Sequence, residues 1–177
     1  MKPRFALPAI RAGFAGLGAA VGGGLLLKLI PSLELALFAG GSARLASLFT
    51  GAPVFRVEEG WALPTAGIPI MITAACSGTG YFLMVAALIG WQLARRGRSL
   101  GGAILVGLVV GLPLSITINS LRVVAVMQAH RWAIPLLPDA YGSFLHMLTG
   151  VAIFLPSLIA LNLLLEYHGR HHPTANP

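Results

Sequence analysis

The sequence predicts an all-α integral membrane protein with about four transmembrane helices, amphipathic helices at the outer face and a short β-hairpin-like segment before its only cysteine. Charged residues make up only 10% of the 177 residues, whereas a soluble domain carries about 25%. Four runs are free of charge over about the length of a membrane span, and basic residues are distributed unevenly between them. An ordinary soluble protein is therefore excluded, and we expect residues 1–177 to form one membrane-embedded domain.

The four predicted spans cover residues 12–27, 76–94, 99–121 and 140–165, which contain no Asp, Glu, Lys or Arg. At about 1.5 Å per residue, a helix of this length approaches the roughly 30 Å of the hydrocarbon layer. The first run resembles a signal peptide, but no convincing small-x-small cleavage site follows it. We therefore expect an uncleaved first helix.

The basic residues predict the orientation. With both termini in the cytoplasm, that side holds seven basic residues and one acid, and the outer side holds five basic residues and four acids. The cytoplasmic basic residues are Lys2, Arg4, Arg11, Arg95, Arg96, Arg98 and Arg170. This split obeys the positive-inside rule, and the inverted orientation violates it. Topology thus accounts for the net charge of +7, and since no basic run is interleaved with aromatic residues, we expect no nucleic-acid partner.

Three segments lie outside the spans. Residues 32–49 mix apolar residues with Glu34 and Arg44, which favours an amphipathic helix on the outer interface over a fifth span. Residues 54–73 combine Gly and Pro with β-branched residues, which predicts short strands or a hairpin. Residues 123–138 are typical of an interfacial helix anchored by Trp132.

This topology brings three chemically capable residues to the outer membrane face. Cys76 begins span two, Arg122 follows span three and His146 lies near the start of span four. Taken singly, a cysteine is more often an apolar filler, and an arginine here often snorkels to the interface. Ionisable residues inside spans are rare, however, and mark function by default. Three such residues at one depth therefore favour a site.

The sequence around Cys76 supports a reactive thiol. Ala75-Cys76-Ser77-Gly78-Thr79-Gly80 is a glycine-rich turn entering a helix, where unpaired N–H groups and the helix dipole favour a thiolate. Ser77 or Thr79 is suited to cap the helix. Gly78 permits close approach of another backbone or a substrate.

The partners of the thiol suggest acyl transfer. His146 is suited to act as general base and then to protonate the leaving amine. Arg122 is suited to stabilise an oxyanion or to bind a substrate carboxylate. Asn119, one helical turn before Arg122, would orient the histidine or substrate, or else form an interhelical hydrogen bond. One cysteine cannot make a Cys₂ or Cys₄ metal site, and the sequence indicates no metal or organic cofactor.

Three sequence blocks resemble the signatures of the exosortase/archaeosortase family. They are Ala75-Cys76-Ser77-Gly78, Asn119-Ser120-Leu121-Arg122-Val123 and His146-Met147-Leu148-Thr149-Gly150. The resemblance covers roughly residues 45–160. The small size, with Tyr81-Phe82 soon after the cysteine, is most similar to the short exosortase K type.

The resemblance implies a cysteine protease or transpeptidase in the bacterial inner membrane, with its active site facing the periplasm. Family substrates are exported proteins whose C-terminal sorting signal comprises a short motif such as Pro-Glu-Pro, a transmembrane helix and a basic tail. Cys76 would attack at the motif and form a thioester, which an amine or water resolves, with Arg122 and His146 as its partners. Many exosortases continue Cys-Ser-Gly with Ile/Leu-Arg, whereas Thr79-Gly80 stand here, so any role of that arginine is absent.

Two other functions fit the same residues. A hydrolytic membrane cysteine protease would use the same three side chains. A non-catalytic membrane transport or assembly component would use Cys76 as filler and Arg122 as an anchor.

Overall fold

The computed structural model describes residues 6–64, 69–132 and 142–171. Its helices are α1 (Ala6–Leu29), α2 (Pro31–Leu33), a π-helical segment (Glu34–Ala39), α3 (Gly40–Thr50), α4 (Thr79–Arg95), α5 (Leu100–Trp132) and α6 (Gly142–His171). Its strands are β1 (Phe55–Val57), β2 (Gly60–Leu63) and β3 (Ile70–Thr73), and a 3₁₀ turn (Ala74–Cys76) joins β3 to α4.

Four helical stretches are long and apolar enough to cross a membrane, among the described residues. They are Ile10–Leu29, Ala74–Arg95, Leu100–Trp132 and Phe144–Arg170. The last exposes a large apolar side chain on each successive turn, and each of these is more than half exposed: Phe144, Met147, Val151, Leu155 and Ile159. Such a stripe is suited to lipid rather than water. The prediction of an all-α membrane protein with four spanning helices is confirmed.

The predicted boundary at residue 123 is wrong. Helix α5 runs without interruption from Leu100 to Trp132, so residues 123–132 extend the third span instead of forming a separate interfacial helix. The physical reason is that Val123, Val124, Ala125 and Val126 contain no proline or glycine to end the backbone ladder. The predicted remainder, 133–138, lies outside the described residues.

By their internal contacts, the residues divide into two compact units. Unit 1 comprises the chain up to Leu29, Gly80–Leu114 and the chain from Leu158. Its helices pack through small residues, with Ala12, Ala15, Ala94 and Ala103 buried together, which permits close helix contact. Within it, Gln92 Nε2 also donates a hydrogen bond of 2.8 Å to Asn162 Oδ1.

Unit 2 comprises Ile30–Thr79 and Ser115–Ser157 and contains every candidate site residue. Its three strands form an antiparallel sheet in the order β1-β2-β3, which confirms the predicted hairpin and adds a third strand. The predicted helix at 32–49 is present from Pro31 to Thr50, with a π-helical segment that the sequence did not predict.

The core of unit 2 lies between α3 and the sheet. It buries Ala39, Ala43, Ala46, Leu63, Ile72 and Val123. Trp61 fixes the π-helical segment over the sheet, because its Nε1 donates a hydrogen bond of 3.1 Å to the carbonyl of Leu35. Since β3 leads directly into the 3₁₀ turn, this core holds the backbone that carries Cys76.

Candidate active site

Cys76 ends the 3₁₀ turn between β3 and α4, and its free thiol is partly exposed. The turn is closed by Ser77, whose N–H donates to the carbonyl of Ala74 at 3.2 Å. Its Oγ lies 2.7 Å from the same carbonyl oxygen. The next residue, Gly78, has φ +82°, a conformation that favours glycine. The chain therefore turns sharply after the cysteine and enters α4 at Thr79.

The structure brings Cys76, His146 and Arg122 together. His146 Nε2, on α6, lies 3.4 Å from Cys76 Sγ. Nη2 of Arg122, on α5, lies 2.6 Å from the same Nε2. The guanidinium of Arg122 also lies over the ring of Phe154, at 5.4 Å from its centroid, which is a favourable cation–π contact.

The donors and acceptors of these three side chains define the hydrogen-bonding role of each nitrogen of His146. A guanidinium N–H only donates, so Nε2 of His146 is an acceptor and the ring proton sits on Nδ1. The sulfur of Cys76 lies next to the same nitrogen. The arrangement is therefore that of a neutral imidazole whose one lone pair is offered to both the thiol and Arg122.

Arg122 has an N–H donor that forms no hydrogen bond among the described residues. Its side chain is only 9% exposed. Among the described residues its Nε has no hydrogen-bond partner, and no carboxylate forms an ion pair with it. A buried guanidinium without an anion is costly, so this site is suited to receive a carboxylate or a developing oxyanion.

Asn119 holds the cysteine turn. Its Nδ2 lies 3.1 Å from the carbonyl oxygen of Cys76, 3.0 Å from that of Ser77 and 3.0 Å from Ser42 Oγ. Carbonyl oxygens only accept, so the amide orientation follows from these partners. Of the roles considered from the sequence, these contacts correspond to an interhelical hydrogen bond, since they run to the turn and to α3 rather than to His146.

Gly78 is packed against Asn119. A Cβ added at Gly78 would lie 2.8 Å from Asn119 Cγ, closer than side-chain carbons pack. The close approach expected for Gly78 is thus made by the asparagine that holds the turn.

Glu34, which the sequence predicted only as part of the amphipathic helix on the outer interface, also contacts the cysteine turn. Glu34 Oε1 accepts a hydrogen bond from Thr79 Oγ1 at 2.8 Å. It also lies 3.0 Å from Ser77 Oγ, whose one hydroxyl hydrogen is shared between this carboxylate and the Ala74 carbonyl. The carboxylate thus joins the end of the cysteine turn to the start of α4. It lies on the π-helical segment, a geometry frequent at functional sites. The only feature of the sequence that could have indicated this role is an acidic residue within a mostly apolar segment.

The three clustered side chains open onto one groove. Its other walls are Ile70, Met71 and Ile72 of β3 and Val123 and Val126 of α5. The thiol, imidazole and guanidinium therefore line one small, mostly apolar groove together with strand β3. Among the residues that the structure describes, no three His, Cys, Asp or Glu side chains are grouped as metal ligands.

Comparison with known proteins identifies a family. A family model described as transmembrane exosortase (Exosortase_EpsH) matches residues 3–163. This range contains the cysteine turn, Asn119, Arg122 and His146. No curated protein and no solved structure matches the chain significantly.

Proposed function

Because the chain belongs to the transmembrane exosortase family, we propose that it is a membrane-embedded cysteine transpeptidase that cleaves C-terminal sorting signals of exported proteins. The family predicted from the three sequence blocks is confirmed. The resemblance to the exosortase K type stays a prediction.

One observation carries the proposal: the Cys76 thiol and the Arg122 guanidinium meet at the same nitrogen of His146, at 3.4 and 2.6 Å. A nucleophile next to a base, with that base contacted by a third group, is the signature of covalent acyl transfer. A cysteine that merely fills apolar space has no need of these neighbours, which argues against a non-catalytic component.

The first half of the reaction forms a thioester. As Cys76 Sγ bonds to the scissile carbonyl carbon, its proton passes to His146 Nε2. The N–H groups of Arg122 stabilise the oxyanion. When the tetrahedral intermediate collapses, the C–N bond breaks and Nε2 returns the proton to the leaving amine. The products are the acyl-enzyme and the free transmembrane helix with its basic tail.

The second half releases the acyl group. An acceptor amine, or water, attacks the thioester carbon and gives a proton to His146 Nε2. The C–S bond then breaks, and the thiolate of Cys76 recovers that proton. An amine gives a new amide and water gives a carboxylic acid, so the acceptor alone separates transfer from hydrolysis.

The proposed location is the bacterial inner membrane, with the groove facing the periplasm. The distribution of basic residues supports this orientation. A substrate held by its own transmembrane helix presents the adjacent peptide bond at a fixed depth. Anchoring in the same bilayer thus supplies much of the positioning that the reaction needs.

The test uses a reporter protein that ends in a Pro-Glu-Pro motif, an apolar helix and a basic tail, co-expressed with the chain. Cys76→Ala should leave the reporter uncleaved while the variant still inserts in the membrane. The double variant Ala75→Cys/Cys76→Ala, which moves the thiol by one residue, should also be inactive. Cleavage that is unchanged in Cys76→Ala would overturn the proposal. The mass of the new reporter C-terminus distinguishes an attached amine from a free carboxylate.

A further inference from the structure

The third strand of the sheet has an unpaired edge beside the reactive thiol. The sheet order is β1-β2-β3, so β3 pairs with β2 on one side only. The direction of each backbone group on β3 follows from the register. Val57 pairs with Gly60 across the two-residue loop between β1 and β2. Residues that close such a loop exchange both backbone hydrogen bonds, and along antiparallel strands bonded and non-bonded pairs alternate.

This alternation shows which backbone N–H and C=O groups of β3 point away from β2. Gly60 and Ala62 direct their backbone bonds to β1, so Trp61 and Leu63 direct theirs to β3, where they face Ile72 and Ile70. The N–H and C=O of Met71 and the N–H of Thr73 consequently point away from β2. They form a short ladder without a partner strand in the described sheet.

The edge runs along the groove of the catalytic cluster. Ile70, Met71 and Ile72 line the same groove as Cys76 and His146. Met71 is 40% exposed, whereas Ile70 and Ile72 on either side of it are buried, so β3 is uncovered at Met71. Because Thr73 leads directly into the turn that ends at Cys76, a chain lying along this edge continues toward the thiol.

The two outer edges of the sheet differ in their protection. On β1, Arg56 is exposed, and the exposed Glu58 and Glu59 follow it. Charged side chains of this kind block strand addition. β3 reads Ile-Met-Ile-Thr and carries no charge or proline within the strand. An apolar edge without charged residues or proline can pair with a strand of another chain. Of the two outer edges, β3 is the one that borders Cys76, His146 and Arg122.

We infer that the substrate segment around the scissile bond binds in extended form as an additional strand on β3, through the backbone of Met71 and Thr73. The inference rests on the proposed function and specifies its substrate as an unfolded, extended polypeptide. In strand addition the main chain supplies affinity and pockets for alternate side chains supply selectivity. The enzyme would therefore tolerate varied side chains around the cleavage point but not a helical or folded one.

The first test removes a single edge donor. Met71→Pro deletes the outward N–H, while the pairing of β3 with β2 through Ile70 and Ile72 is retained. It should lower the rate of reporter cleavage about tenfold, the effect expected of one lost hydrogen bond. The matched control is Arg56→Pro, which deletes an outward N–H on the opposite edge and should cleave at the wild-type rate. Alkylation of Cys76 by iodoacetamide at the wild-type rate shows that each variant is folded. Equal cleavage rates in the two proline variants would overturn the inference.

The second test uses the unmodified enzyme, so it decides the question even if Met71→Pro fails to fold. Peptides spanning the reporter cleavage point are synthesised with one N-methyl group at successive amides. Strand addition predicts a loss of about tenfold at alternate residues only. Uniform sensitivity, or none, would overturn it. Cleavage by Cys76→Ala would instead refute the proposed function, so the two failures are distinguishable.

Discussion

Arg122 Nη2 lies 2.6 Å from Nε2 of His146, the nitrogen that accepts the thiol proton in the proposed reaction. A guanidinium N–H and an imidazolium N–H cannot both point along the same line. Arg122 therefore has to leave Nε2 before His146 is fully available as a base. The carbonyl oxygen of a bound substrate is the acceptor that draws it away, so substrate binding would activate the nucleophile.

This relationship predicts that Arg122 and His146 affect the thiol differently. In Arg122→Met no donor competes for Nε2, so alkylation of Cys76 by iodoacetamide should be as fast as in the wild type or faster. Reporter cleavage should fall by about 10²- to 10³-fold because the oxyanion loses its donor. His146→Ala should lower both rates. Arg131→Met, at the exposed end of α5, is the control and should change neither. Parallel loss of alkylation and cleavage in Arg122→Met would contradict this account.

Asn119 is predicted to act through the turn. Asn119→Ala leaves the carbonyls of Cys76 and Ser77 without their donor, at a cost of about 1–3 kcal/mol for each unsatisfied group. We expect a lower melting temperature in detergent and slower reporter cleavage. Ser120→Ala is the neighbouring control, because Ser120 is fully buried and its hydroxyl donates to the Thr117 carbonyl of its own helix, not to the turn. If both variants lose the same activity, the effect comes from helix packing and not from the turn.

Glu34 is predicted to be a positioning residue. Glu34→Ala removes the acceptor shared by Ser77 and Thr79 and should slow both cleavage and alkylation of Cys76, because the turn is no longer held against α4. Glu34→Gln keeps one oxygen acceptor and should retain most of the activity. Glu59→Ala, in the exposed hairpin loop, should have no effect. A Gln variant as impaired as the Ala variant would show that the charge matters, which these hydrogen bonds do not require.

The sequence alone predicted the features of the fold that depend on the composition of one continuous segment. Spans follow from runs without charge, and the topology that those runs imply predicted the approach of Cys76, Arg122 and His146, although Arg122 lies inside α5 and not at its end. The contact of Glu34 with Ser77 and Thr79 was not predictable in this way. It joins segments 43 and 45 residues apart and depends on a π-helical segment for which the composition gives no sign. The continuation of α5 to Trp132 was missed for the opposite reason, since a change from apolar to mixed composition does not end a helix.

Gly78 is predicted to be essential for two separable reasons. Gly78→Ala places a side chain at φ +82° and presses its Cβ against Asn119. Gly51→Ala is the control, because Gly51 has φ +70° but no neighbouring atom within 4 Å of an added Cβ. Backbone strain should destabilise the folded state of both variants by about 1–3 kcal/mol. Only Gly78→Ala should also abolish reporter cleavage and alter alkylation of Cys76. Equal, mild effects would show that the Asn119 contact has no bearing on the site.

Cys76 is predicted to lie on the outer side of the membrane, and labelling of this native cysteine tests that orientation. A membrane-impermeant maleimide added to intact spheroplasts should label Cys76 without permeabilisation, and more slowly in His146→Ala. The opposite side is probed by Arg98→Cys in the Cys76→Ala background, since Arg98 is exposed in a basic loop that the positive-inside rule assigns to the cytoplasm. This variant should be labelled only after permeabilisation. The proposed substrate is an exported protein, which would meet this chain only on the outer side. Labelling of Arg98→Cys and not of Cys76 in intact spheroplasts would therefore place the thiol where no such substrate could reach it.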